Sequence, residues 1–186
     1  MKKFQSNTGF KYLPIWFEEG AFITDSRDIL KTMGQRYGYY PDDKEQAVLV
    51  DKIVDLVHDT YETFYLALSQ KKNWSDKVIQ SYLNQVKKIF EFLDENCWAH
   101  DEKAHVAKFI AGTDSPTIAD FMLTVVFFAF IFPEFDGKRM HTIPQRRDIK
   151  MGIRELRLKH TKVIGYWSRL WDTFNDTILK PPVWTF

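Results

Sequence analysis

The residues of this chain whose spacing could do chemistry are mostly aspartates at helix starts. Ser115-Pro116-Thr117-Ile118-Ala119-Asp120 reads as a capping box. Thr117 can accept from the Asp120 N–H, while the Asp120 carboxylate reaches back to the Thr117 N–H. That carboxylate also meets the positive end of the helix dipole. Asp25 or Ser26 caps an earlier helix. A third acidic group, Asp51, Asp55, Asp59 and Glu62, recurs at helical spacing and reads first as a solvated stripe. Cys97 is the one cysteine, so no internal disulfide can form and a reducing, intracellular (cytoplasmic) setting is expected. Beside Trp98, it reads as a packed apolar side chain rather than a reactive thiol. The histidines, at 58, 100, 105, 141 and 160, lack metal-ligand spacing, and no metal site is expected.

These groups must be positioned by helices. Hydrophobic residues make up 45% of the 186, with 16 Phe, 8 Tyr and 6 Trp, enough for a well-buried core. The formal net charge of +1 does not point to nucleic acid or a membrane surface. The run Phe121 to Phe132 falls short of the about 20 residues a bilayer span requires, so no transmembrane segment is expected. Tyr12–Phe17 and Ala21–Thr24, separated by Glu18-Glu19-Gly20, predict a β-hairpin. A helix carrying Ile29, Leu30 and Met33 follows, weakened by Gly34 and ended by Gly38 and Pro41.

From Asp42 the apolar spacing is helical. Val50, Ile53, Val54, Val57, Tyr61, Phe64 and Leu68 form one stripe; Ser75 caps a second helix with Val78, Ile79, Tyr82, Leu83, Val86, Ile89, Phe90 and Leu93 as its buried face. Thr117–Phe132 is apolar nearly all round, as a central helix packed on every side would be. A last helical region over 149–179, with a break, carries Trp167, Leu170, Trp171 and Phe174 and stops at Pro181-Pro182. Between them, Lys138 to Lys162 holds nine cations against Asp148 and Glu155, a local charge of +7 that leaves −6 elsewhere. This reads as a solvated basic face or a docking face for an acidic partner. The fold class is mainly α, with a hairpin and helix over 1–41 ahead of a helical domain over 42–186.

Four motifs in order resemble the cytosolic glutathione transferases, most nearly the sigma-like classes. Ser115–Phe121 resembles the capping box that opens the family's central helix. Asn7-Thr8-Gly9 leading to Leu13-Pro14-Ile15 resembles its cis-proline loop. Ile23–Leu30 resembles its ligand-binding helix start, and Val50–Asp55 with Asp59 resembles the first helix of its C-terminal domain. The resemblance implies a transferase-like C-terminal helical bundle after a remnant of a thioredoxin-like domain. It implies Leu13 and Pro14 against the cysteinyl part of glutathione, Asp25 and Ser26 on its γ-glutamyl group, and Asp59 toward a partner subunit's ligand. Thr117 and Asp120 remain structural. The family carries a strand, a helix, a strand and a short helix before the cis-proline, with the thiolate-stabilising residue at the end of the first strand; only thirteen residues precede Pro14 here. The expectation is therefore a non-catalytic structural or assembly subunit with no catalytic residue, no required cofactor and glutathione as a weak ligand. Its partner is another protein or a second copy, with an acidic partner for Lys138–Lys162 and no nucleic acid. The alternative is an active transferase whose N-terminal part lies outside this chain.

Overall fold

The computed structural model describes residues 14–18, 20–69, 74–97, 109–127, 131 and 146–179. Strands β1 (Trp16–Glu18) and β2 (Ala21–Ile23) form a two-stranded antiparallel hairpin, with Trp16 opposite Ile23 and Phe17 opposite Phe22. The helices are α1 (Ser26–Tyr37), α2 (Lys44–Ser69), α3 (Asp76–Cys97), α4 (Ile118–Val126), α5 (Arg147–Lys159) and α6 (Thr161–Leu179). The protein is thus mainly helical, and the expected hairpin is present in shorter form. Of the predicted first strand, Tyr12 and Leu13 lie outside the described residues.

Helices α1, α2 and α3 each start where a side chain takes up free N–H groups. Asp25 is the N-cap of α1 and accepts from the N–H groups of Arg27 and Asp28. Asp43 accepts from Glu45 and Gln46 at the start of α2, at 3.0 and 2.9 Å. Ser75 accepts from Val78 at the start of α3. Helix α1 ends at Gly38, whose φ of 77° lies in the left-handed region that favours glycine.

The core is where the sequence periodicity places it. α2 contributes Val50, Ile53, Val54, Val57 and Phe64; α3 contributes Ile79, Tyr82, Val86, Ile89, Phe90 and Leu93. α4 packs against α1, α2 and α6, and α5 closes over α3 and α6. Burying each large apolar side chain contributes about 1.5–3 kcal/mol, so this shared core outweighs the local preferences of any one helix. Aromatic edges meet inside it, as at Phe64–Tyr82 (5.2 Å) and Phe127–Trp167 (5.5 Å).

Four expectations change. Tyr61, predicted on the buried stripe, is 43% exposed, because it sits at the edge of the face α2 turns inward. The α-helical part of α4 is Ile118–Val126, with Phe127 and Ile131 in π-helical conformation, and Val125 is 54% exposed, so the helix is not packed on every side. Gly34 does more than weaken α1. A Cβ there would stand 2.6 Å from Ile118 Cγ2, so the missing side chain is what lets α1 approach α4. His160, one of five scattered histidines that sequence reads as surface or half-buried, is 3% exposed and makes the predicted break in the last helical region. It lies between α5 and α6 with Nδ1 2.6 Å from Asp94 Oδ2.

Candidate functional site

Two aspartate centres organise the polar chemistry of the molecule. The first is Asp120, fully buried at the third position of α4. Its Oδ2 accepts from the Thr117 N–H and the Thr117 hydroxyl, both at 2.8 Å. Its Oδ1 accepts from the Ile110 N–H at 2.9 Å and the Tyr166 hydroxyl at 2.6 Å. The Thr117 side chain also faces the Asp120 N–H, though its hydroxyl makes its short bond to the carboxylate. A buried carboxylate with four donors has its lone pairs filled, which is what makes its burial tolerable. The capping box is therefore the visible part of a larger joint tying α4, the segment at Ile110 and α6. Burial and the nearby Asp120 charge hold the Tyr166 hydroxyl well above the usual tyrosine range, so it remains a donor.

The second centre is an open cavity of about 240 Å³ between the start of α1 and the outer side of α2. Asp25, Arg27, Asp28 and Lys31 line it from α1, Asp51 and Asp55 from α2, with Val54 and Ile118 as its apolar floor. Its charges are already paired in part. Lys31 Nζ is 2.6 Å from Asp51 Oδ2, and the Tyr40 hydroxyl donates to Asp51 Oδ1 at 2.9 Å. The bonds to Asp51, then Tyr40, hold the Lys31 ammonium above its ordinary range. Arg27 reaches Asp25 at 3.3 Å and Asp55 at 3.4 Å. That guanidinium, with the N–H of Arg27, holds the Asp25 carboxyl below the usual aspartate value.

Asp25 Oδ1 takes the capping bonds, while among the described residues Oδ2 has the long 3.5 Å contact from Arg27 and can still accept from a ligand. Four carboxylates (25, 28, 51, 55) against two cations (27, 31) give the cavity a formal charge of −2. Such a site attracts an ammonium and repels a carboxylate.

Of the residues that the resemblance assigns to glutathione, Asp25 alone lines this cavity; Asp51 and Asp55, read from sequence as part of an acidic stripe, line it as well. Ser26 opens α1 beside it, half-buried, but does not line it. Asp59 lies one turn beyond Asp55 with its side chain 81% exposed, also outside the cavity. Pro14 is exposed and Leu13 lies outside the described residues. Lys31, Tyr40 and Asp51 were not singled out as a group. Their signal was the acidic stripe of α2, which left its partner on α1 unnamed.

Cys97, at the end of α3, has its thiol pushed up to about 12 by burial and then by the Asp120 charge, which keeps it un-ionised and unreactive at neutral pH. Among the described residues no group of three or more His, Cys, Asp or Glu could hold a metal ion, and no helix is long and apolar enough to cross a membrane. Within the basic segment, Lys138 and Arg139 lie outside the described residues. Arg146 is tied to the Trp74 carbonyl at 3.0 Å, to Asp76 at 3.1 Å and to Asp148 at 2.8 Å. No protein-family model and no curated protein matches the chain.

Proposed function

We propose that the chain is a glutathione-transferase-like helical subunit that works by assembling with a protein partner rather than by catalysis. The observation that carries this reading is the hairpin. Phe17 is 61% and Phe22 53% exposed, and their rings pair at 4.6 Å on a sheet that has two strands among the described residues. A two-stranded sheet is marginal in water by itself, and exposed paired aromatics on it invite another chain. An ion pair between Arg36 and Glu18 ties the hairpin to the end of α1.

Sedimentation velocity on the full chain tests the reading. Wild type is expected to self-associate, or to stay soluble only with its partner, and the Phe17→Ser/Phe22→Ser variant to sediment as a monomer. A wild-type chain that is a stable monomer at high concentration contradicts it.

The cavity at Asp25 favours a second reading, in which glutathione is bound and turned over. Asp25 Oδ2, held only loosely by Arg27, suits the γ-glutamyl ammonium. The net −2 charge works against the tripeptide's two carboxylates, and each neutral polar contact contributes only about 0.5–1.5 kcal/mol. Any binding is therefore weak, near or below millimolar affinity (about −4 kcal/mol).

A further inference from the structure

We propose that the exposed face of α5 is one half of a helix–helix seam that takes an acidic amphipathic helix from a protein partner. This rests on the assembly reading above and gives it a second, separate surface. The buried side of α5 is fixed: Ile149 is in the core, and at Gly152 a Cβ would stand 2.9 Å from Leu83, so α5 lies tightly on α3. The opposite side is open. Arg147, Met151, Arg154 and Leu158 follow one another by four, three and four residues, which places them in one line along a helix.

Met151 is 49% and Leu158 71% exposed, and they stand seven residues apart. They occupy equivalent positions of a heptad, with Arg147 and Arg154 at the other seam position. Lys150 and Arg157 both fall on one flank of that line, and Asp148 and Glu155 on the other. Asp148 is taken up by Arg146 at 2.8 Å. Arg147, Lys150 and Arg154 make no ion pair with a described residue, and with Met151 they line an open groove of about 380 Å³.

The charge pattern selects the occupant. Two arginines on the seam and a basic flank repel a basic helix and favour carboxylates opposite them. The two apolar side chains on the same line give a nucleic-acid backbone nothing to pair with, whereas a helix with apolar residues at heptad spacing covers both. Only two heptads are available, so the contact is weak by itself and depends on register.

The test is fluorescence anisotropy on the full chain with a labelled synthetic helix carrying Leu at one seam position and Glu at the other and along one flank. A peptide of the same composition in scrambled order and a single-stranded oligonucleotide serve as comparators. The heptad peptide is expected to bind, with affinity falling about tenfold or more in Arg147→Glu/Arg154→Glu and about fivefold in Met151→Ser/Leu158→Ser. All four positions are exposed, and circular dichroism establishes that both variants keep the fold. No binding overturns the seam, as does equal binding of the scrambled peptide or the oligonucleotide, which would make this a general anion surface. Self-association of the wild type that is lost in Arg154→Glu would assign the face to a second copy and also overturn it. Loss of the seam with hairpin-dependent association intact leaves the assembly reading standing.

Discussion

Asp120 and Asp25 both serve helix N-termini, yet they do opposite things. Asp120 is sealed, with four donors on its two oxygens and no water-facing surface. Asp25 stands with 43% of its side chain exposed, one oxygen capping α1 and the other facing a cavity. Saturation by the protein's own donors separates a structural carboxylate from one able to meet a ligand. A buried group that is already satisfied offers nothing to a newcomer, and one that is half-satisfied at the surface can accept more.

The largest effect that would sharpen this contrast is at Asp120. Asp120→Ala leaves the Ile110 and Thr117 N–H groups and the Tyr166 hydroxyl unpaired in the core, and should cost at least about 3 kcal/mol in urea melts. A loss below about 1 kcal/mol would mean that the joint is not closed.

Next comes the link to α6. Tyr166→Phe removes one hydrogen bond to a charged group and should cost about 2 kcal/mol. Thr117→Ala should cost about 1 kcal/mol. Combined with Asp120→Ala it should lose less than the sum, because the two residues serve one another. Strict additivity would break the pairing.

How much of this joint could be read from sequence follows from the distances along the chain. Thr117 and Asp120 are three residues apart, so helix geometry alone predicts their bond. Ile110 and Tyr166 lie 10 and 46 residues from Asp120, and only the packed bundle brings them to it. The same holds at the cavity. Asp25 was legible as a cap, and the stripe of Asp51, Asp55 and Asp59 as one helix face. That Lys31 bonds Asp51 across 20 residues depends on α1 packing against α2. The apolar stripes of α2 and α3 were legible because periodicity is local and the core demands it. The exposure of Tyr61 and Val125 was not, since a stripe's edge is set by which neighbour lies beside it.

The smallest expected effect is at Asp25. Asp25→Ala should destabilise by less than about 1 kcal/mol, because water replaces part of what an exposed cap supplies. Its carboxyl is held below the ordinary value in the folded state, so the stabilisation is full above the ordinary carboxylate range. It is lost as pH falls through the lowered folded value. Carboxyl titration by NMR should place the Asp25 midpoint below the usual aspartate value and move it upward in Arg27→Gln. An unchanged midpoint in that variant would remove Arg27 as the cause.

The most direct test of the central claim is turnover. Purified full chain, alone and with any partner it carries, is given glutathione and a general aromatic electrophile. The assembly reading predicts conjugation no faster than the uncatalysed rate, both in wild type and in Ser26→Ala. Turnover in wild type that disappears in Ser26→Ala would contradict it and make the start of α1 part of a working active site.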